Sequence, residues 1–192
     1  KQSLEWDKKR QIAAEAAKLI EDGDTVLLDG GSTTYELARA LVGRPLQVVT
    51  NSLPVAMLFS SSDTVDLVLV GGYVHRRTGV SLGPYANQML ADLSVRRAVL
   101  SVAGINERGY YNSNLLLVET ERAMMNAADE VIVVADSTKF GHTCLSHLGE
   151  LGKAHVLVTD GQIGQRWRQT VTEAGVRLVV VASAANASTS RE

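Results

Sequence analysis

The sequence is poor in the features that mark disulfide-stapled, membrane-spanning or nucleic-acid-coating proteins. Its 192 residues include one cysteine, Cys144, and their formal net charge is −2. A single cysteine cannot form an internal disulfide, so we expect the reducing cytoplasm as the setting. No apolar run is long enough to cross a bilayer, which argues against a membrane partner. The slightly negative charge argues against a general electrostatic footprint for nucleic acid on this chain.

The common cofactor and metal motifs are also missing. No G-x-G-x-x-G follows the first predicted strand, and no G-x-x-x-x-G-K-[ST] occurs anywhere. Aromatic residues make up 5% of the chain, and few lie near the predicted strand ends, which disfavours a stacked base. His142, Cys144 and His147 lie close together but fit no standard zinc spacing. We therefore expect no cofactor and no metal site.

What the chain does contain is a regular alternation of apolar strands and amphipathic helices. The run 131–134 (Val-Ile-Val-Val) is apolar on both faces, as in a parallel sheet covered on each side. The fold class predicted is therefore α/β, with a mostly parallel sheet covered by helices on both faces. Strands are predicted at residues 25–28, 47–50, 66–70, 98–103, 130–135, 155–159 and 177–181. Helices are predicted at residues 4–22, 33–42, 53–60, 84–92, 116–128 and 163–174.

Residues 27–38 form the most informative stretch, because a strand there runs through two glycines and three hydroxyl residues into a helix. Glycines permit a sharp turn and a close approach to a ligand. A helix start exposes unpaired N–H groups at the positive end of the helix dipole, which attracts phosphate. An ordinary N-cap is the competing interpretation, and it needs one hydroxyl only. Both interpretations remain open on these residues alone.

Polar clusters follow five predicted strands at their carboxyl ends, where open α/β sheets bind ligands. Glycines and hydroxyls at helix starts suit a phosphate, and Lys139 adds a positive charge. Asp29, Asn51, Asn106 and Asp136 suit sugar hydroxyls. Turn chemistry explains any single cluster, but five on one edge favour a ligand site. The candidate residues are Asp29, Gly30, Gly31, Ser32, Thr33, Thr34, Thr50, Asn51, Ser52, Gly71, Gly72, Gly104, Asn106, Asp136 and Lys139.

Three further segments carry expectations. The basic cluster at residues 75–77 is a solvated loop, or it closes over an anion or contacts a neighbouring subunit. We expect the three leucines at residues 115–117 to lie in the core, and Glu119, Glu121 and Arg122 to lie on the solvent side of their helix. The small polar residues 183–192 are predicted to be a disordered tail.

Taken in order, the motifs resemble the effector domain of DeoR-type transcriptional regulators. The resemblance extends from about Ile12 to Asp160. The stretch 133–141 (Val-Val-Ala-Asp-Ser-Thr-Lys-Phe-Gly) is its strongest part. The other segments that carry it are residues 22–25, 29–34, 49–52, 70–72, 83–84, 104–106 and 122–124.

The resemblance implies a fold similar to ribose-5-phosphate isomerase and glucosamine-6-phosphate deaminase. It also implies a sensor, most often a repressor, that binds a phosphorylated sugar and works as a homodimer or homotetramer. Operator DNA would be bound by an upstream helix-turn-helix domain. Residues 1–22 would then be the linker helix to that domain, and residues 23–182 the effector-binding domain. The chain is too short to hold the DNA-binding domain as well.

Carried over by motif, Gly31, Ser32, Thr33 and Thr34 would hold the phosphate. The rest of the pocket would be lined by Thr50, Asn51, Gly71, Gly72, Gly104 and Lys139. The chain departs from the family pattern at Asn106, where the family often has Asp, and at Glu121, where a Lys often precedes the Arg.

Two other functions compete with a sensor. One is a sugar-phosphate isomerase or deaminase, with Asp29 or Asp136 as the general base and Lys139 stabilising an enediolate. Against it, no two acidic residues lie close in sequence near the pocket loops. The other is a purely structural interaction domain, which leaves the five polar strand ends unexplained. The sensor interpretation predicts no catalytic residues.

Overall fold

The computed structural model describes residues 2–182, with the side chain of Gln2 left out. The expected disorder of residues 183–192 lies outside the described residues. The helices are α1 (Gln2–Ala17), α2 (Ser32–Leu41), α3 (Leu53–Phe59), α4 (Pro84–Ala91), α5 (Leu115–Asn126) and α6 (Gln165–Glu173). The strands are β1 (Thr25–Leu28), β2 (Leu46–Thr50), β3 (Val65–Leu69), β4 (Tyr73–His75), β5 (Val80–Leu82), β6 (Val95–Ser101), β7 (Gly104–Asn106), β8 (Gly109–Asn112), β9 (Ala128–Val134), β10 (Ser146–Gly149), β11 (Val156–Thr159) and β12 (Arg177–Val180). Short 3₁₀ turns span Ser137–Lys139 and Leu151–Lys153.

Seven strands form one sheet in the order β12-β11-β9-β6-β1-β2-β3, and every pairing in it is parallel. The predicted α/β fold with a mostly parallel sheet is therefore confirmed. The doubly apolar strands explain it, because Ile132 and Val134 pack into one core cluster while Val131 and Val133 pack into another.

The helices divide between the two faces of this sheet. One core cluster contains Ile12 of α1, Leu37 of α2 and Phe59 of α3. The other contains Leu90 of α4, Met124 of α5 and Val171 of α6. The carboxyl edge of the sheet therefore lies between α1–α3 on one side and α4–α6 on the other.

Helix α1 packs against the sheet of the domain. Ile12, Ala13 and Ala16 are buried against the first core cluster. The helix ends at Ala17, five residues before the predicted end. The guanidinium of Arg44 closes this end, because it donates to Ala17 O (2.9 Å) at the last helical residue and to Ile20 O (2.5 Å) in the turn that follows.

The structure contains two small antiparallel sheets whose strands were not predicted from the sequence. Strands β4 and β5 form a hairpin, and β10, β8 and β7 form a three-stranded sheet. These strands have three or four residues each, too few for an apolar alternation to stand out in a sequence. The buried side chain of Tyr110 on β8 fixes the second sheet by donating its hydroxyl to Leu151 O (3.0 Å).

The first turn of α5 corrects two expectations. Leu115 and Leu116 are 60% and 46% exposed, so the predicted burial of this leucine run is wrong for them. Asn114 caps the helix by accepting from Leu117 N (3.1 Å), which sets the helix phase so that Val118 faces the core. Glu121 lies three residues later on that same face, so its predicted place on the solvent side is also wrong, and it is 2% exposed.

Strand β6 begins three residues before the predicted start. The prediction started too late because the strand contains a buried charged residue, Arg97. Arg97 forms ion pairs with Asp24 and with Glu130 (3.1 Å) on the neighbouring segments. Pairing lets the guanidinium lie inside the sheet. Within residues 2–182, no helix is both long enough and apolar enough to cross a bilayer.

Candidate functional site

A cavity of about 230 Å³ opens at the carboxyl edge of the large sheet, where β1, β6 and β9 end. This is the edge at which open α/β sheets place ligands. Seven of the residues proposed from sequence line it: Asp29, Gly30, Gly31, Ser32, Thr33, Asp136 and Lys139. The remaining lining residues are Lys9, Thr78, Val80, Ser101, Val102, Ala103, Asn112, Leu117, Glu121, Val134 and Ala135.

The start of α2 forms one wall of the cavity. Gly31 is the N-cap residue in extended conformation, and no side chain of residues 2–182 caps this helix. The N–H groups of its first turn are therefore available to a ligand, as in an anion site. Ser32 is exposed at the cavity, whereas Thr33 is buried in its wall. The competing interpretation was an ordinary N-cap in which a hydroxyl caps the helix. The structure does not show such a cap at α2.

Gly30 and Gly31 are required by the close approach of neighbouring side chains. A Cβ on Gly30 would lie 2.1 Å from Val80 Cγ1, and a Cβ on Gly31 would lie 2.3 Å from Ser101 Cβ. Neither glycine has a positive φ. The double glycine therefore lets β5 and the end of β6 close around the cavity.

Asp29 holds this turn together. Its Oδ1 accepts from Gly31 N (3.0 Å) and its Oδ2 accepts from Ser101 N (2.7 Å). Burial raises the pKa of Asp29, while hydrogen bonding by the Thr34 side chain and by these two N–H groups acts to lower it. Thr34 lies under the turn, with its hydroxyl 2.7 Å from Ser101 Oγ and shielded from the cavity. Both Asp29 oxygens are thus engaged with the backbone.

Glu121 brings a second buried carboxyl group to the same cavity. Its Oε2 accepts from Asn112 Nδ2 (2.7 Å), and Asn112 Oδ1 accepts from Ala103 N (2.9 Å). Burial raises the pKa of Glu121 well above its ordinary value, and the negative charge of Asp29 raises it further. The acidic pair that is absent from the sequence spacing is created by the fold, from β1 and α5.

The end of β9 contributes the turn that begins with Asp136. Asp136 Oδ1 accepts from Thr138 N (2.9 Å), and Ser137 is tied to Asp160 by its N–H (2.7 Å) and its hydroxyl (2.9 Å). These bonds hold Lys139 at the cavity. Lys9 reaches the cavity from α1, so two cationic groups line it.

The end of β2 serves a structural purpose. Thr50 Oγ1 donates to Leu28 O (2.7 Å), Asn51 Nδ2 donates to Ser81 O (2.8 Å), and Ser52 Oγ accepts from Val55 N (3.3 Å) as the cap of α3. These groups fasten β1, β5 and α3 to one another. None of the three residues lines the cavity.

The four remaining candidates also lie outside the cavity lining. They are Gly71, Gly72, Gly104 and Asn106. Gly104 packs against the loop before β10, since a Cβ there would lie 2.5 Å from His142 O. Asn106 Oδ1 accepts from Arg108 N (2.9 Å) and closes the β7–β8 turn. Turn and packing chemistry account for these two positions.

Five polar residues that the sequence analysis missed line the cavity: Lys9, Thr78, Ser101, Asn112 and Glu121. Ser101 ends β6, but the strand was predicted to continue to residue 103, so no strand-end signal marked it. Glu121 carried a weak signal, because it follows the apolar Val118 by three residues on a helix. Lys9 carried none, since its place depends on how α1 crosses the sheet edge.

A second cavity of about 400 Å³ adjoins the first, with Thr78, Val80 and Leu117 common to both linings. His75 and Arg77 of the basic cluster line it, together with Asn114. The hairpin turn therefore places positive charge beside the candidate site.

The histidine and cysteine cluster does not come together. His147 packs edge-on against Tyr111, with its Nε2 2.8 Å from Arg108 O. Over residues 2–182, no group of three or more His, Cys, Asp or Glu residues is arranged to hold a metal ion.

Comparison with known protein families identifies one family over most of the chain. Residues 5–161 match the DeoR C-terminal sensor domain. The chain is 30% identical over 174 residues to the HTH-type transcriptional repressor GlcR of Bacillus subtilis, covering 91% of this chain and 67% of that protein. It is 31% identical over 184 residues to the putative aga operon transcriptional repressor of Escherichia coli O157:H7, covering 94% and 68%. It is 33% identical over 168 residues to the lactose phosphotransferase system repressor of Lactococcus lactis, covering 85% and 65%.

Solved structures share the fold at low sequence identity. Ribose 5-phosphate isomerase A from Methanocaldococcus jannaschii superposes with a TM-score of 0.51 at 21% identity, covering 70% of this chain and 54% of that one. RipA from Yersinia pestis gives a TM-score of 0.54 at 14% identity, covering 87% and 51%. The chain thus spans about two thirds of the length of these regulators and about half of these structures.

Proposed function

The chain belongs to the DeoR family of C-terminal sensor domains, and from that premise we propose that its cavity binds a phosphorylated sugar. The phosphate would lie at the first turn of α2, against the N–H groups and the hydroxyl groups of Ser32 and Thr33. Lys9 and Lys139 would supply positive charge to it. The uncapped start of α2 is the observation that carries this proposal, because it leaves donors and the positive end of the helix dipole at the cavity.

The candidates divide into three groups under this proposal. Those that line the cavity contact the effector, and Asp29 and Asp136 hold the loops that surround it. Thr34, Thr50, Asn51 and Ser52 act through the packing of the site. Gly71, Gly72, Gly104 and Asn106 shape the adjacent turns.

Helix α1 provides a route from the effector to DNA. The relatives are named as HTH-type regulators and repressors, and the chain covers about two thirds of their length. We infer that a helix-turn-helix domain outside these 192 residues binds the operator, with residues 1–22 as the connection to it. Lys9 lies on α1 and lines the cavity, so an effector that contacts Lys9 favours one placement of α1 over another. For a repressor, the favoured placement is the one with weak operator binding.

The domain is a regulator's sensor and not an enzyme, in line with its family. The chemistry of the cavity agrees with this. The isomerase interpretation uses Asp29 or Asp136 as general base, yet both oxygens of Asp29 accept backbone N–H bonds, and Asp136 caps the turn at Ser137. Both oxygens of Asp29 and one oxygen of Asp136 therefore hold backbone turns in place.

The phosphate site is tested by calorimetric titration with sugar phosphates, each paired with its unphosphorylated sugar. The double variant Ser32→Ala/Thr33→Ala should lose at least about tenfold in affinity for the phosphorylated member, because hydrogen bonds to a charged group contribute roughly 1.5–3 kcal/mol each. Affinity for the unphosphorylated sugar should change little.

A matched control is Ser60→Ala/Ser62→Ala, which removes two hydroxyls after the end of α3, away from the cavity. It should bind as the unaltered chain does. Equal affinity of the Ser32/Thr33 variant for the phosphorylated sugar would place the phosphate elsewhere. If the purified chain converts the sugar phosphate to an isomer or a deaminated product, the domain is an enzyme and the sensor proposal is wrong.

A further inference from the structure

Two carboxyl groups face the same cavity from different elements. Asp29 is 3% exposed at the end of β1, and Glu121 is 2% exposed on α5. Asp29 is satisfied by two backbone N–H groups, as described above. Glu121 is not satisfied in the same way, and the difference points to the ligand.

One oxygen of Glu121 has a fixed partner and the other has none. Asn112 Oδ1 accepts from Ala103 N, which turns the amide so that Nδ2 donates to Glu121 Oε2. Across residues 2–182, no donor lies within hydrogen-bond distance of Glu121 Oε1, and Glu121 forms no ion pair. Because Glu121 lines the cavity, Oε1 is the atom of this group that remains for a ligand.

The position of Glu121 places this atom across the cavity from the proposed phosphate. Helix α5 packs on one face of the sheet, and α1 and α2 pack on the other. Lys9 and the start of α2 therefore approach the cavity from the opposite side to Glu121. A ligand with its phosphate at α2 presents its other substituents towards α5.

We propose that the effector carries an ammonium group bound to Glu121 Oε1, beside the negative charge of Asp29, and that it belongs to the phosphorylated amino sugars. This inference rests on the proposed function, since it names the chemical class that the same cavity takes. An ammonium donates to the free Oε1 and offsets the mutual repulsion of the two buried carboxyl groups. A hydroxyl supplies a hydrogen bond but no charge, so it leaves that repulsion in place.

The charges that line the cavity differ between its two walls. Lys9 approaches from the side of α1 and α2 and Glu121 from the side of α5, while Asp29, Asp136 and Lys139 follow the ends of β1 and β9. A cationic group at the wall of α1 and α2 and a free carboxyl oxygen at the wall of α5 match a ligand with an anion at one end and a cation at the other.

The test compares sugar phosphates that differ only in one substituent. Binding of the 2-amino, 2-hydroxy and 2-acetamido 6-phosphates of the glucose, galactose and mannose series is measured by calorimetry. In at least one series, the amino compound should bind about tenfold tighter than the hydroxy compound, as expected for a charge-assisted hydrogen bond. The acetamido group carries no charge, so the acetamido compound should lose this advantage.

The variant Glu121→Gln keeps the size of the side chain and an oxygen for Asn112, but removes its charge. It should reduce the amino-over-hydroxy preference to about twofold or less. The matched control is Glu119→Gln, which changes an exposed residue on the same helix and should keep the full preference.

The outcomes separate this inference from the proposed function. Binding of hydroxy compounds with equal or greater affinity, or of acetamido compounds best, overturns the amino-sugar inference and leaves the phosphate site intact. A preference that persists in Glu121→Gln overturns the role of Glu121. Absence of binding by every sugar phosphate in the panel overturns the proposed function and this inference with it.

Discussion

At the scale of single residues, the contact between Gly31 and Ser101 gives a direct test of how the cavity wall is built. A Cβ on Gly31 would lie 2.3 Å from both Cβ and Oγ of Ser101. Gly31→Ala should therefore lower the free energy of unfolding by about 1–3 kcal/mol through overpacking. The measurement is urea unfolding of the purified domain.

Gly71→Ala is the control for that prediction. No atom lies within 4 Å of a Cβ built on Gly71, and its φ is not positive. We expect its stability to change by less than about 0.5 kcal/mol. Equal stability of the two variants would mean that the end of β6 moves freely to accommodate the added methyl group.

Glu121 makes the stability of the domain depend on pH. Its pKa is raised well above 4.5 in the folded state by burial and by Asp29. The folded state therefore holds more protons than the unfolded state as pH rises above about 4.5, so the free energy of unfolding falls with pH in that window. Each pH unit between the two pKa values contributes about 1.4 kcal/mol.

Glu121→Gln removes this dependence, since glutamine does not ionise. The variant should melt at a higher temperature than the unaltered chain near pH 8, and the difference should shrink towards pH 4.5. Thermal melts across this range measure it, with Glu119→Gln as the control that keeps the original profile. A difference that stays constant with pH would show that Glu121 is ionised throughout.

Sequence reasoning predicted the cavity-lining residues that lie in the turns after β1 and β9. Asp29, Gly31 and Lys139 were proposed in this way, because a parallel sheet gathers its strand ends at one edge. Glu121 was placed on the wrong side of its helix, since a charged residue was assumed to face water. A buried carboxyl group is favoured only by partners such as Asn112, which are brought to it by the fold and are not visible in local spacing.

At the scale of elements, Arg97 joins three segments at the amino edge of the sheet. Arg97 lies on β6, and its buried guanidinium pairs with Asp24 before β1 and with Glu130 on β9. Arg97→Ala leaves both carboxylates without their partner, and we expect it to lower the free energy of unfolding by about 3 kcal/mol. Chemical denaturation at low and high salt measures this loss.

Arg96 offers the control on the same strand. It pairs with Asp129 at 3.9 Å, and both side chains are mostly exposed. Arg96→Ala should change stability by less than about 1 kcal/mol, as usual for an exposed pair. A similar loss for both variants would assign the effect to strand propensity instead of the buried pairs.

Elements of at least four residues with a clear apolar pattern were predictable in type and near position. Strand β1 was predicted at its observed bounds, and α2 within one residue at each end. Strand β6 was predicted to start too late because Arg96 and Arg97 interrupt its apolar run. The strands of three or four residues in the two small sheets were missed, because their pairing depends on tertiary contacts and not on their own composition.

At the scale of the whole molecule, the strand alternation predicted a parallel sheet with two helical layers, and it did so for a general reason. Strands that are apolar on both faces must be covered on both faces. The order of the strands was beyond this reasoning, since it depends on which face each connecting helix takes. Strand β6, fourth along the large sheet from β12, is central for that reason.

The order matters because it leaves β3 at one edge of the sheet with apolar side chains exposed. Val68 and Leu69 on β3 and Tyr73 and Val74 on β4 are all exposed hydrophobic residues. An exposed apolar edge strand is a template for pairing with another chain. We predict that a second copy of this chain covers the surface, which agrees with the homodimer or homotetramer that the family resemblance implies.

The double variant Val68→Lys/Tyr73→Lys tests this surface, because two ammonium groups on each copy repel across a symmetric contact. Light scattering after size-exclusion chromatography should give a dimer or tetramer for the unaltered chain and a monomer for the variant. The control Leu145→Lys alters an exposed apolar residue before β10 and should keep the oligomer. A variant that remains oligomeric, while Leu145→Lys dissociates, would assign the contact to the three-stranded sheet. A monomeric unaltered chain would contradict the prediction that a second copy covers this surface.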